Sequence, residues 1–366
     1  MMSNNFYIII NSLSKGGAER IATDIGFYLE GKGYCPIYLL LDDAEVEYEI
    51  ARAAKVEHLP LAKFCRGSLF LFVLFFQALY VRIKYRRERY FLSFLHRGNL
   101  VNGLSAIFSS RKVVISERSI FSKSYYGKKK AIMRWLLYLL FKRVDCCVAI
   151  SSVVKDELQS VFGLPSNVIK VINNPVNAEL FRSRVCRSKS SAKKFCYVGR
   201  LVRSKRVELA ISLFQILLSY YPGSSLSIAG GGPDLERVKS IAASKGVSGS
   251  VVFLGSIDDV AGLMSSSDYL IFMSEYESFG NVALEALSCA LPVIYSDNLL
   301  TFPEIFGENK QLSFAVDVLF SDASIRELVG YIDNFDMSSY LYEREARLPK
   351  FTRDVAYANY LEQVII

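Results

Sequence analysis

Two glutamates with seven residues between them bound the segment Glu277-Ser-Phe-Gly-Asn-Val-Ala-Leu-Glu285, just after an apolar run ending at Met273. Gly280 stands where a helix should begin, and the free N–H groups of a first helical turn make an anion site. Glu277 then falls in the loop ahead of that helix and Glu285 about a turn and a half inside it. One could accept hydrogen bonds from sugar hydroxyls while the other holds a ribose. The plain alternative is two solvated charges flanking a helix. A second segment, Gly199-Arg200-Leu-Val-Arg-Ser-Lys205, follows the apolar run Phe195–Val198. A glycine at a strand end lets a ligand approach the backbone. Arg200 offers a bidentate fork to phosphate and Lys205 a point charge. Two cations five residues apart in one loop suit a diphosphate, against the alternative of a solvated basic loop. Arg203 and Arg206 are expected to face solvent.

Two glycine-rich stretches complete the set. Ser14-Lys15-Gly16-Gly17-Ala18-Glu19-Arg20 is neither GxxxxGK[ST] nor GxGxxG. It can still bring a substrate close to a helix N-terminus. In Gly230-Gly231-Gly232-Pro233-Asp234, Pro at the first helical position and acid in the first turn are ordinary helix-start chemistry, so a structural role is expected there.

The elements that must position these residues alternate strand and helix. In the first half, strands are expected at Phe6–Asn11, Pro36–Leu41, Tyr90–Phe94, Val113–Ser116 and Cys146–Ile150. Helices are expected near 17–30, 68–87, 98–109, 128–143 and 151–162. After the polar, basic, Ser-rich stretch 182–194, read as a linker, strands are expected at Phe195–Val198, Ser225–Ala229, Val251–Leu254, Tyr269–Met273 and Pro292–Tyr295. Helices follow near 206–220, 234–245, 258–266, 280–289 and 323–335, with a last one over 352–366. Short, nearly all-apolar strands alternating with helices mean doubly wound parallel sheets. The expected organisation is an N-terminal domain over 1–185, a C-terminal domain over 186–345, and a closing helix over 346–366 that returns to the N-terminal domain. Two such halves imply a cleft, and ligands bind where strands enter loops at their carboxyl ends.

The 366 residues suffice for two such domains. At 51% hydrophobic and 22% charged, the chain is neither disordered nor a disulfide-stapled small fold. Seven scattered cysteines without a CxxC, and only two histidines, exclude a structural zinc site and point to a reduced, cytoplasmic chain. MMSNNFYIII lacks a basic n-region and does not read as a signal peptide. Mean hydropathy is high at +0.24. Yet the longest apolar run, 68–81, falls short of the roughly 20 residues of a spanning helix. The net charge of +8 is uneven: residues 1–180 hold 25 of the 44 Lys and Arg but 15 of the 36 Asp and Glu. That basic half could meet nucleic acid, anionic lipid or phosphorylated substrates. No nucleic-acid recognition motif is found. The run 68–81 followed by Arg82, Lys84, Arg86, Arg87 and Arg89, and the stretch with Lys128, Lys129, Lys130, Arg134 and Trp135, have the composition of helices lying in a membrane interface. The alternative is a core helix with a basic exposed side.

Together these residues resemble glycosyltransferase family 4, the retaining enzymes of the GT-B fold, of the bacterial polysaccharide and O-antigen type. The resemblance runs through SLSKGGAER, ISSVVKDEL, VINNPVN, YVGRLVRSKR, SIAGGGPDLERV, VVFLGSIDDV and SDYLIFMSEYESFGNVALEALSCALPVI. Arg206 departs from it, since many members have Gly after the lysine. The resemblance implies that Arg200 and Lys205 neutralise the donor diphosphate and that Glu285 binds the ribose. It implies that Glu277, with the backbone of Phe279, Gly280 and Asn281, holds the transferred sugar, and that Gly16 and Gly17 line the acceptor side. Family members often carry a histidine on N-domain loops near the anomeric carbon, which makes His96 the candidate, a loop residue after Tyr90–Phe94. Arg118 is expected to face the same cleft, and His58 to be structural. The implied reaction moves a hexose or N-acetylhexosamine from a nucleotide sugar, preferably a UDP-sugar, to a lipid-linked glycan. It takes place at the inner face of the cytoplasmic membrane and without a metal cofactor, as no Asp-x-Asp occurs. A non-catalytic GT-B scaffold, or a sugar- or lipid-binding partner of an assembly complex, is the alternative function. A phosphorylase or epimerase shares the fold.

Overall fold

The computed structural model describes residues 4–14, 16–64, 69–107, 109–124, 127–181, 191–307 and 312–365, without the side chains of Lys128 and Lys129. The expected linker over 182–194 falls largely on residues outside these. Contacts group residues 1–174 with 354–366 as unit 1, and residues 175–353 as unit 2.

Unit 1 is built on a seven-stranded sheet, every pairing parallel: β1 (Asn5–Ile10), β2 (Cys35–Leu40), β3 (Lys55–His58), β4 (Tyr90–Phe94), β5 (Val114–Glu117), β6 (Cys146–Ala149) and β7 (Ile169–Val171). The order is β3-β2-β1-β4-β5-β6-β7. The winding therefore reverses between β1 and β4, which makes their carboxyl ends the switch point where ligands bind in open sheets. β1 is buried from Phe6 onward, which is why it reads as a continuous apolar run. The helix Arg353–Ile365 returns to unit 1 with Ala356, Tyr357, Tyr360 and Val364 buried in the same cluster as Ile8, Ile10 and Phe94.

Unit 2 carries a six-stranded sheet, again all parallel: β8 (Lys194–Val198), β9 (Ser225–Ala229), β10 (Val251–Gly255), β11 (Tyr269–Phe272), β12 (Val293–Ser296) and β13 (Ser313–Val316). Its order is β10-β9-β8-β11-β12-β13, with the switch point between β8 and β11.

The two doubly wound sheets are as the alternation implies, but β3, β7 and β13 are additions. β3 and β7 are edge strands whose faces are half polar, and each of the three is three or four residues long. β3 and β7 lack the apolar run that marks a strand buried on both faces, whereas β13, SFAV, has one of only four residues. The helices Phe302–Phe306 and Met337–Arg347 were also not expected.

Candidate active site

In unit 2 the backbone ladder continues past the strand ends. Gly199 N–H donates to Ala229 O at 3.0 Å, Leu201 N–H to Gly231 O at 2.9 Å, and Asp234 N–H to Leu201 O at 3.1 Å. Gly230 sits at φ +134°, where an added Cβ would run into the carbonyl oxygen of Gly199. One on Gly232 would run into that of Leu201. The glycine triplet is there for backbone-to-backbone contact. Pro233 precedes the helix N-cap, Asp234, and is not the first helical residue.

That interlock holds the Gly199–Arg206 loop beside the loop that follows β11. A short 3-10 turn, Arg203–Lys205, ends at Arg206 with φ +46°. It turns Lys205 so that its Nζ pairs with Glu277 Oε1 and lies 5.8 Å from the Phe272 ring centroid. Both side chains are mostly shielded, at 27% and 13% exposure. Glu275 N–H donates to Ser204 O at 2.8 Å, while Asn298 Nδ2 donates to Glu275 O at 2.6 Å and Ser296 Oγ to Ser274 O at 3.1 Å. Three strand-end loops are thus tied together at the switch point. Gly280 is the N-cap of the helix Asn281–Ser288, at φ +105°, and a Cβ there would come within 3.1 Å of the Phe302 ring. Phe279 is buried with its ring 6.2 Å from that of Phe351. Glu285 lies on the second turn, buried. Arg200 is exposed at the start of its loop. Burial first, and the nearby Glu277 carboxylate second, push the Tyr197 phenol up and keep it neutral.

The ion pair between Lys205 and Glu277 is the feature that sequence reading of each loop alone missed. The signal was available: β8 and β11 flank the switch point of the expected sheet, so the loops leaving them must be neighbours.

In unit 1, Gly16 is the N-cap of the helix Gly17–Gly31 in an extended backbone, with its N–H and carbonyl both bonded to Tyr48 Oη, at 3.1 and 2.9 Å. Gly17 is exposed. The Glu19 carboxyl folds back over Gly16, and a Cβ on Gly16 would run into it. Burial raises the pKa of this carboxyl, although backbone N–H groups of Ala18 and Glu19 and the Arg118 charge pull the other way.

His96 is not in a loop. The helix begins at Leu95, earlier than expected, through a residue at φ +65°. His96 is therefore buried in the first turn, its Nε2 3.1 Å from Glu117 Oε2. Oε2 accepts no hydrogen bond among the described residues. Asn99 Nδ2 holds Glu117 Oε1 at 2.7 Å and Ser93 Oγ donates to Asn99 Oδ1 at 2.8 Å. Arg97 grips buried Asp42 through both oxygens, at 2.8 and 2.7 Å. Gly98 lets this helix approach β1, since a Cβ there would be 3.0 Å from Ile9 O. Arg118 is buried, its guanidinium donating to Tyr360 Oη at 2.9 Å and to Asn174 Oδ1. His58 Nδ1 is 3.1 Å from Asp42 O. On the helix Gly127–Phe141, Trp135 is exposed and Lys130 Nζ donates to Ser122 O at 3.1 Å; the side chains of Lys128 and Lys129 lie outside the described residues.

Among the described residues no three His, Cys, Asp or Glu side chains converge on a metal position, and no helix is long and apolar enough to cross a membrane. Unit 2 instead brings an ammonium, a carboxylate and a helix N-terminus to one switch point. That set can take an anion beside a polyol.

Residues 15–180 match the family described as Glycosyltransferase Family 4, and residues 182–347 the one described as Glycosyl transferases group 1. Among curated proteins the chain is similar to the N-acetylgalactosamine-N,N'-diacetylbacillosaminyl-diphospho-undecaprenol 4-alpha-N-acetylgalactosaminyltransferase of Campylobacter jejuni. The two are 23% identical over 314 residues, 83% of each chain. Among solved structures, Anabaena HepE in complex with UDP and glucose superposes with a TM-score of 0.77 at 17% identity over 98% of both chains. The lipopolysaccharide outer core galactosyltransferase WaaB superposes at 0.73 and 16% identity, over 98% of this chain and 99% of that one.

Proposed function

We propose that this chain, which belongs to the GT-B glycosyltransferases of family 4 and group 1, is a retaining enzyme of surface polysaccharide assembly. It moves a hexose or N-acetylhexosamine from a UDP-sugar to a lipid-linked glycan, as a peripheral protein on the inner face of the cytoplasmic membrane. The observation that carries the donor reading is the Lys205–Glu277 pair at the unit 2 switch point, ahead of the helix that opens at Asn281. The relative from Campylobacter jejuni, whose name places its acceptor on diphospho-undecaprenol, supports the lipid-linked acceptor. HepE, solved with UDP, supports the uridine nucleotide.

Breaking a sugar–diphosphate bond builds negative charge on the departing phosphate. Fixed cations and oriented N–H groups stabilise that charge best when they are in place beforehand. In this reading Lys205 and Arg200 meet the diphosphate, and the first turn after Gly280 adds its free N–H groups. Glu285 takes the ribose hydroxyls. Glu277 holds Lys205 and accepts from hydroxyls of the transferred sugar, beside the backbone of Phe279, Gly280 and Asn281. His96, oriented against Glu117, serves the anomeric centre; Gly16, Gly17 and Arg118 belong to the acceptor side. The acceptor hydroxyl attacks on the face the diphosphate leaves, and a phosphate oxygen takes its proton, which gives retention. These cations take the place of a metal.

The test is thermal-shift binding against UDP- and GDP-sugars with EDTA present, followed by transfer to an undecaprenyl-diphosphate-linked glycan. A shift with a UDP-sugar that survives EDTA is expected, because bound ligand stabilises the native state. No shift with any nucleotide sugar would overturn the donor assignment.

A further inference from the structure

The helix Phe70–Lys84 buries Val73, Leu74, Gln77, Ala78 and Val81 in unit 1. Its other side is apolar as well. Phe72 is 55% exposed, Phe75 57% and Ile83 65%, with Phe76 and Leu79 exposed between them. The Phe72 and Phe76 rings lie 4.4 Å apart, and those of Phe75 and Phe76 5.9 Å. A surface helix of a soluble domain ordinarily turns polar residues outward, and a contiguous exposed apolar face marks an interaction site. The helix Gly127–Phe141 repeats the arrangement. Met133, Leu137 and Leu140 are buried, while Ile132, Trp135, Tyr138 and Leu139 are exposed. Both helices pack against the helix Leu95–Ser105.

Their carboxyl ends lead to one place. Two hollows of about 480 and 430 Å³ share Ser109, Ser110 and Arg111. Arg82, Ile83 and Arg86 line the first; Lys112, Lys142 and Arg143 line the second. Six cationic side chains thus face one carboxylate, Asp145, which already accepts the Val113 N–H at 2.7 Å. Arg111 is fixed by Asn102 O at 3.0 Å and Ser105 Oγ at 2.6 Å, and lies over the Phe91 ring at 3.8 Å. Burial lowers its pKa to about 10, which leaves it charged at neutral pH. Arg86 and Lys142 are exposed. Ile83 belongs both to the apolar face and to the first hollow.

We infer that this face of unit 1 docks on a bilayer containing anionic lipid, with the exposed aromatic residues at headgroup depth and a lipid phosphate in the basin around Arg82, Arg86 and Arg111. Bulky apolar side chains beside clustered cations match the boundary between acyl chains and anionic headgroups. A second copy is a poor match, since an isologous contact would set the six cations against themselves. A free phosphate would leave the apolar faces without a role. The inference rests on the reading of a membrane-surface enzyme and moves the centre of docking from Lys128–Lys130 to the helix Phe70–Lys84 and its basin.

The test is flotation of the full chain with phosphatidylcholine vesicles, with and without phosphatidylglycerol, alongside melting temperature and UDP-sugar binding. The wild type should float only with the anionic vesicles, and less at high salt. Arg86→Glu with Lys142→Glu, and separately Phe75→Ser with Ile83→Ser, should each lower partitioning about tenfold or more. All four positions are exposed, so melting and UDP-sugar binding should hold. The inference fails if the wild type does not float or if both double variants float equally well. It also fails if the wild type is a dimer that Phe75→Ser with Ile83→Ser dissociates and that ignores vesicles. Intact flotation without transfer to the lipid-linked glycan counts against the acceptor reading alone.

Discussion

Lys205 and Glu277 form an ion pair between the loops that leave two neighbouring strands, β8 and β11, although they stand 72 positions apart in the chain. The carboxylate holds the ammonium where the sheet reverses its winding, ahead of the amino end of the helix Asn281–Ser288. A charge fixed in that way costs little reorganisation when a diphosphate departs.

If Lys205 stabilises the leaving diphosphate, Lys205→Ala should lower kcat by about 100-fold with the protein still folded. Glu277→Ala should also lower transfer strongly, through the loss of the sugar contact proposed for it and of the lysine's anchor. Because the two touch, their effects should not add. A double variant about as active as the worse single one, by steady-state transfer with melting as control, is the expected result. Full activity in both single variants would remove the assignment.

Arg206 occupies the left-handed region at φ +46°, in the place where family resemblance leads one to expect glycine. A non-glycine residue there costs roughly 1–2 kcal/mol. Glycine loses about 0.5–1 kcal/mol of that advantage through the entropy of the unfolded chain. The net gain of up to about 1.5 kcal/mol means that Arg206→Gly should raise Tm by up to about 6 °C. A lower Tm would mean that the Arg206 side chain contributes more than its backbone strain costs.

Gly230 makes the opposite case. A Cβ there would meet the backbone oxygen of Gly199, which cannot swing away as a side chain could. Gly230→Ala should destabilise unit 2 by more than about 2 kcal/mol. By displacing the Gly199–Arg206 loop it should weaken UDP-sugar binding as well, measured by calorimetry. Unchanged melting would show that the two loops can part without cost.

The fold was legible because its central strands are buried on both faces: Phe6–Ile10 and Tyr269–Phe272 read as apolar runs whatever their surroundings. Lys55–His58 was not legible, since an edge strand with polar residues on both faces has the pattern of a loop. The candidate site was legible as residue types but not as partners. Lys205 and Glu277 stood out separately, whereas their contact depends on strand order. Similarly, His96 was placed in a loop because Leu95 starts its helix from a left-handed backbone that periodicity does not register. Clustered charge suggested the membrane face, but only the exposure of Phe72, Phe75 and Ile83 shows which side of their helix is without cover in unit 1.

The last prediction concerns pH. The Glu19 carboxyl lies folded over Gly16 at the amino end of the helix Gly17–Gly31, and desolvation raises its pKa in the folded chain. Between the unfolded pKa and this higher folded value, the native state binds more protons than the unfolded one. Stability from this group is therefore fully present below the unfolded pKa and is lost as pH rises through the folded pKa. Above its folded pKa the half-buried Glu19 carboxylate works against folding. Glu19→Gln keeps the shape and an oxygen for the N–H groups of Ala18 and Glu19 without the charge. It should raise Tm at pH 7.5 and raise it less, or not at all, at pH 4. Melting curves of both proteins across that range decide the matter. A larger gain at the acid end would reverse the sign and show that the N–H groups and Arg118 outweigh burial.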